Sequence, residues 1–300
     1  MTEDWENGGF GIYIHWPFCT AKCPYCDFNS HVRSNINQKQ WLKAYLNEIK
    51  RVSIKTSNRV LNSVFFGGGT PSLIEPSIIG DVLNEIQKHW KTKNNFEVTL
   101  EANPGSVDAK NFKAYKEAGV NRTSMGIQSL NTKDLKALGR THTVEEALAA
   151  FEIAQQNFKA VSFDLIYARQ NQNISQWEKE LSLALSLEAS HMSLYQLTIE
   201  QGTAFGDRYN RGLLKGLPND DTSADMYDLT LSLCEDRGLV SYEVSNYAHQ
   251  GYESIHNLIY WRYGDYIGIG PGAHGRLTID GKKYACLLYT SDAADDASSV

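Results

Sequence analysis

The 300-residue sequence contains no apolar run of the ~18 residues that a membrane-crossing helix requires. Its start, Met1-Thr2-Glu3-Asp4-Trp5-Glu6, is acidic and lacks the apolar stretch of a secretory leader. Basic residues are not in excess. Lys and Arg number 29 against 35 Asp and Glu, a net charge of −6, whereas a general nucleic-acid-binding surface carries the opposite sign. Cysteine is scarce and unevenly spread: three of the five fall within eight residues, and Cys234 and Cys286 stand alone. A disulfide framework would distribute an even number along a short chain. A tight cluster without a leader points instead to metal binding or catalysis. No internal repeat appears, and no linker rich in Pro, Gly or Ser divides the chain before about residue 210. These absences imply a cytoplasmic protein with no membrane span and no nucleic-acid partner.

What is present is alternation. Strand-like apolar runs lie at Gly11–Trp16, Val64–Phe66, Phe96–Leu100, Arg122–Ile127, Val161–Ile166 and Met192–Leu197. Helical periodicity lies between and after them, at Gln38–Val52, Ile78–Trp90, Ala109–Glu117, Val144–Asn157, Ser175–Leu187 and Ala224–Arg237. Asp108 stands before one helix, and Asn131-Thr132-Lys133-Asp134 has the form of a capping box. Repeated β-α units build a parallel sheet, either an open doubly wound one or a partial barrel. Unusual residues cluster where five consecutive strands end. A barrel gathers those ends on one face, while an open sheet uses mainly one switch point. The sequence therefore predicts an α/β fold, a partial (β/α)6 barrel over residues 1–210, followed by a smaller α+β region over 211–285.

The segment His15-Trp16-Pro17-Phe18-Cys19-Thr20-Ala21-Lys22-Cys23-Pro24-Tyr25-Cys26 has C-x3-C-x2-C spacing. Thiolates suit zinc and iron–sulfur clusters. Structural zinc takes four protein ligands, so His15 or His31 would have to join the three cysteines. Three thiolates on a four-iron cluster leave one iron open to a small ligand.

Six more sites carry chemistry. Gly67-Gly68-Gly69-Thr70-Pro71 follows the second strand and reads either as a tight turn or as a backbone cradle. Glu101, Gln128 and Asp164 sit at or near strand ends; each is either a surface or core polar residue or a group facing the barrel mouth. Arg140 can hold a carboxylate with two parallel hydrogen bonds. His256-Asn257-Leu258-Ile259-Tyr260-Trp261 is either a packed aromatic turn or an imidazole beside aromatic faces, which suits heme iron.

The cysteine spacing resembles that of the radical S-adenosylmethionine family. Taken together, these motifs resemble the oxygen-independent coproporphyrinogen III oxidase family over about residues 10–275. The resemblance implies a [4Fe–4S] cluster on Cys19, Cys23 and Cys26. It also implies S-adenosylmethionine contacts at Tyr13, Tyr25, Gly68, Gly69, Thr70, Glu101, Gln128, Arg140 and Asp164. Within the family, decarboxylating oxidases carry a fourth cysteine where this chain has Phe28. The HemW-type heme chaperones carry Asp-Phe after the third cysteine, as in Cys26-Asp27-Phe28, and the His-Asn-x-x-Tyr-Trp motif. The similarity thus points to the chaperone branch, with heme bound through His256 and passed to an acceptor protein, and with an electron donor protein as a second partner. Porphyrin decarboxylation and a structural zinc protein are the alternatives. The family's Gly-x-Pro after Asp164-Leu165-Ile166-Tyr167 is replaced by Ala168-Arg169-Gln170. Cys286-Leu-Leu-Tyr-Thr-Ser-Asp-Ala-Ala-Asp-Asp296 resembles a translated sequencing adapter, so residues 286–300 are expected to be foreign to the gene.

If the three clustered cysteines hold the cluster, anaerobic reconstitution should give about four irons per chain. Cys19→Ala, Cys23→Ala and Cys26→Ala should each lose the cluster while Cys234→Ala keeps it. Iron and sulfide analysis checks this, and a Cys23→Ala variant with full iron content would exclude the assignment.

Overall fold

The computed structural model describes residues 4–106 and 109–287. Residues 288–300 of the adapter-like tail, and Asp108 before its helix, lie outside the described residues. Six strands lie side by side in chain order and all run parallel: β1 (Phe10–Trp16), β2 (Val60–Gly68), β3 (Lys91–Ala102), β4 (Arg122–Gln128), β5 (Ala160–Tyr167) and β6 (His191–Gln196). Helices α1 (Gln38–Ser53), α2 (Pro76–His89), α3 (Ala109–Glu117), α4 (Val144–Asn157) and α5 (Ile174–Leu185) connect them, and α6 (Asp220–Glu235) follows the last. Apolar spacing explains the packing: α2 buries Ile78, Ile79, Val82, Leu83 and Ile86, one stripe of a 3.6-residue helix.

The expected elements form, with three instructive differences. β3 begins at Lys91 rather than Phe96, because the exposed stretch 91–95 opens with residues that pair with Val60 and Leu61. Polar residues in a strand give no alternating signal. Reciprocal capping boxes occur at Thr143/Glu146 and Asn173/Gln176. Asn131, by contrast, only accepts from the Lys133 and Asp134 amides, and the Asp134 carboxylate is drawn to Arg169 at 2.8 Å.

The chain after residue 211 extends both edges of the same sheet. β7 (Asn246–Ala248) joins β6 in antiparallel fashion. β8 (Asp265–Ile269) joins β1 in parallel, and β9 (His274–Ile279) and β10 (Lys282–Leu287) continue outward antiparallel. A short helix, α7 (Ile255–Trp261), connects these two additions and packs on β1, β2 and β8. Cys234 is fully buried in α6, as its place in an amphipathic helix implies. No helix among the described residues is long and apolar enough to cross a membrane.

One buried ion pair fixes the added strands. Arg59 Nη1 donates to Asp265 Oδ2 at 2.6 Å, with the side chains 5% and 0% exposed. Asp265 also accepts from the Thr278 hydroxyl at 3.0 Å and from its amide. The guanidinium lies 4.1 Å from the Trp5 ring centroid. Removing one partner leaves a buried charge uncompensated, which costs about 3–5 kcal/mol. Arg59→Met should therefore lower unfolding free energy by about that amount in urea titrations. Arg59→Met with Asp265→Leu should recover much of the loss. Equal destabilisation by the single and double variants would refute the pairing.

Candidate functional site: a cysteine loop over a polar barrel lumen

The cysteine loop leaves β1 and is fastened at once to the turn after β2. Gly69 N donates to Trp16 O at 2.7 Å and Thr70 N to Phe18 O at 2.8 Å. A Cβ on Gly69 would stand 2.6 Å from Phe18 O, and one on Gly68, whose φ is +113°, would stand 2.6 Å from the His15 ring. The glycines are thus required first by the approach of the two loops to each other. Cys26 N donates to Cys23 O at 3.1 Å, closing a turn that carries the last two thiols.

Cys19, Cys23 and Cys26 are all half-buried and line one cavity with a free volume of about 130 Å³. Tyr25, Gly68, Gly69 and Thr70 line the same cavity, as do Glu101, Gln128, Arg140 and Asp164. The structure therefore brings together eleven of the thirteen site residues singled out from sequence, the two exceptions being Tyr13 and His256, which line the cavity below. Among the described residues, no three His, Cys, Asp or Glu side chains converge closely enough for a single metal ion. Structural zinc would need a fourth protein ligand beside the three cysteines. Three thiols facing shared free volume suit a multi-iron cluster with one open position.

The side chains around the thiols are held by local geometry. A bulge between Met125 and Gln128 breaks the β4–β5 register, and Gln128 adopts a φ of +73° that turns it to the cavity. Arg140 donates to Cys23 Sγ at 3.1 Å, Asn103 Oδ1 at 3.0 Å and Gly126 O at 2.8 Å. Glu101 Oε2 accepts from Gly68 N at 3.1 Å, and Asp164 Oδ1 accepts from Ser124 Oγ at 3.2 Å. Burial pushes the Glu101 carboxyl from 4.5 up to about 8, with the Asp164 charge adding to the shift. Burial likewise raises Asp164 to about 6, opposed by hydrogen bonds from Ser193 and Ser124. Both shifts favour the protonated forms, so the pair holds less negative charge than two free carboxylates would. Arg169, in the loop that departs from the family pattern, is buried and bonded to Glu180 and Asp134.

Below this cavity lies a second, of about 230 Å³, bounded by inward residues of the strands. The two share Glu101, Ser124 and Asp164. Tyr13 faces this lumen, its hydroxyl 3.1 Å from His15 Nδ1. α7 forms the floor, with Glu97 Oε1 accepting from His256 N at 3.1 Å and Glu97 Oε2 from Ile255 N at 3.2 Å. His256 is 1% exposed. Its Nδ1 lies 2.8 Å from Ser63 Oγ and its Nε2 2.8 Å from Tyr260 OH, and burial lowers its pKa to about 3. Both ring nitrogens of this neutral imidazole are thus engaged, and no edge faces solvent.

Sequence reading missed Asn103, Ser124 and the lumen set of Thr99, Arg122 and His191. Strand periodicity was the available signal. Arg122, Ser124, Gly126 and Gln128 alternate on one face of β4, and Thr99 and Glu101 do so on β3.

The Radical SAM superfamily profile matches residues 13–184. The chain is 43% identical over 274 residues to heme chaperone HemW of Haemophilus influenzae, covering 89% of this chain and 70% of that protein. It is 40% identical over 274 residues to heme chaperone HemW of Escherichia coli, covering 90% and 71%. It is 40% identical over 271 residues to the mitochondrial radical S-adenosyl methionine domain-containing protein 1 of Danio rerio, covering 90% and 61%. Among solved structures, coproporphyrinogen III oxidase (HemN) from Escherichia coli superposes with a TM-score of 0.78 at 20% identity, covering 94% of this chain and 67% of that one. That likeness establishes the fold.

The raised carboxyls set a pH dependence. Glu101 binds its proton more tightly folded than unfolded, so its stabilising contribution is complete below about pH 4.5 and is lost as pH rises to about 8. Its share is up to ~1.4 kcal/mol per pH unit in that window. Thermal unfolding of Glu101→Gln should decline less than wild type between pH 5 and 8. Parallel declines would show that the carboxyl is not shifted.

Proposed function

We propose, from the premise that the chain belongs to the radical S-adenosylmethionine superfamily and to its HemW-type heme chaperone branch, that it binds a [4Fe–4S] cluster, S-adenosylmethionine and heme and delivers heme to an acceptor protein. The observation that carries the first part is the shared cavity, where three thiols meet a carboxyl pair, Gln128 and Arg140. The thiols of Cys19, Cys23 and Cys26 would hold the cluster. Gly68, Gly69 and Thr70 would face the amino acid end of S-adenosylmethionine, and Glu101 and Asp164 its ribose or ammonium. Tyr25 and Gln128 complete the wall. When bound, the cluster supplies an electron that can cleave the sulfonium. The chain's own residues position that ligand, and Arg140 donates to a cluster thiol and so tempers its charge.

Heme is proposed from membership in the branch, with His256 as its axial nitrogen. Ligation would require Nε2 to exchange the Tyr260 hydroxyl for iron, hence a movement of α7. The chain spans 61–71% of the length of these relatives, so delivery to an acceptor and dependence on an electron donor belong to the proposal. A cytoplasmic location belongs to it too.

Phe28 stands 58% exposed at the cavity edge, where the oxidases place a further cysteine. Anaerobically reconstituted protein should bind hemin in a Soret titration and release no carbon dioxide from coproporphyrinogen above background. His256→Ala should weaken hemin roughly tenfold or shift the Soret band, as expected for a lost ligand bond. Anaerobic formation of protoporphyrinogen would overturn the chaperone reading. An unchanged spectrum and affinity in His256→Ala would remove the axial assignment alone.

A further inference from the structure

The barrel lumen holds buried polar groups that no described residue satisfies. Thr99 Oγ1 on β3, Arg122 Nη2 on β4 and His191 Nδ1 on β6 have no hydrogen-bond partner among the described residues. Their residues are 1%, 3% and 2% exposed, and all three line the same cavity. Buried polar groups are normally paired, and an orphan loses its water without a replacement. Three orphans from three separate strands around one cavity mark a place prepared for a ligand.

Their chemistry narrows the ligand. Arg122 Nη1 is already occupied, donating to Tyr252 O at 3.0 Å and lying 3.6 Å from Glu97 Oε2. Its charge is thus partly balanced, and a dianion would meet Glu97 as well as Asp164 and Glu101 at the rim. The remaining Nη2, the Thr99 hydroxyl and the neutral His191 ring suit a single planar anion with two acceptor oxygens. The same cavity has an aromatic lining from Tyr13, Phe65 and Tyr260, with Phe65 beside Thr99 in the sheet register. The volume of about 230 Å³ is on the order of eight waters at ~30 Å³ each, ample for a carboxylate arm. Tyr195, which also lines the cavity, is 42% exposed.

We propose that the lumen is a carboxylate-binding chamber, in which Arg122, Thr99 and His191 receive the carboxylate of a ligand whose carbon chain lies against Tyr13, Phe65 and Tyr260. The carboxylate belongs either to a propionate arm of a porphyrin, in which case the inference rests on the heme reading above, or to a free carboxylic acid. The shared edge at Glu101 and Asp164 puts that ligand's chain next to the cluster cavity.

Three probes distinguish the cases: hemin, hemin dimethyl ester and 3-phenylpropionate, with 3-phenylpropionamide as the neutral control. Arg122→Lys keeps a charge opposite Glu97 but removes the free Nη2, and Thr99→Val keeps the shape but removes the hydroxyl. Wild type should bind hemin roughly tenfold or more tightly than the diester, the worth of a hydrogen bond to a charged group. Both variants should close that gap while retaining iron content and a cooperative melt. If hemin and its diester bind alike but 3-phenylpropionate, and not the amide, raises the melting temperature of wild type alone, the chamber stands with a free acid as occupant. The same shift without any hemin binding removes the heme reading and keeps the chamber. Equal binding of hemin and diester with no 3-phenylpropionate shift overturns the chamber and leaves heme binding intact. A gap that persists in both variants also overturns it, and no response to any probe overturns both.

Discussion

Two backbone hydrogen bonds, Gly69 N to Trp16 O and Thr70 N to Phe18 O, carry the arrangement of the site. They prolong the β1–β2 pairing, which ends with Trp16 opposite Gly68, past the strands and into the loops. Because no Cβ intervenes, the cysteine loop and the glycine turn move as one body. Other elements then close on it. Glu101 reaches from β3 to the Gly68 amide, and Arg140 reaches from beyond β4 to Cys23. A residue larger than glycine at position 69 would force the loops apart and displace every one of these groups.

The same parallel register stacks polar side chains inside the barrel. Glu101 pairs with Ser124, Ser124 with Ser162, and Ser162 with His191, so their side chains form a layer where a purely structural barrel would place branched apolar residues. Such a layer is costly, because each group loses water. The cost appears as raised carboxyl pKa values in Glu101 and Asp164 and as unpaired atoms in the lumen. Apolar surroundings offset it: Ile12, Ile14, Val64, Phe66, Val98 and Leu100 are all 1% exposed or less on the outward side of β1 to β3. Function and stability are therefore divided between the two faces of each strand.

The floor helix α7 shows how local motif and tertiary setting part ways. Its His-Asn-x-x-Tyr-Trp sequence reads equally as a ligand group or a packed turn. In the fold, Glu97 caps its first amides while Ser63 and Tyr260 take both His256 nitrogens. Trp261, in contrast, is 56% exposed. The motif thus seals the lumen in this conformation, and any iron ligation competes with two hydrogen bonds already made.

By itself the sequence determined the β-α alternation, the thiol set and the strand-end residues, since apolar periodicity and cysteine spacing are local properties of the chain. Glu101, Gln128 and Asp164 were legible because a polar residue ending an apolar strand is conspicuous within a few positions. Tertiary structure alone decided that β8 joins β1, with Phe10 opposite Asp265 from the far end of the chain, and that Arg59 meets Asp265. It also decided that Thr99, Arg122 and His191 face one lumen with atoms unpaired. Each of these depends on which strands become neighbours and in what register, and that is fixed by hydrogen bonds and burial between segments whose own sequences carry no record of their partner.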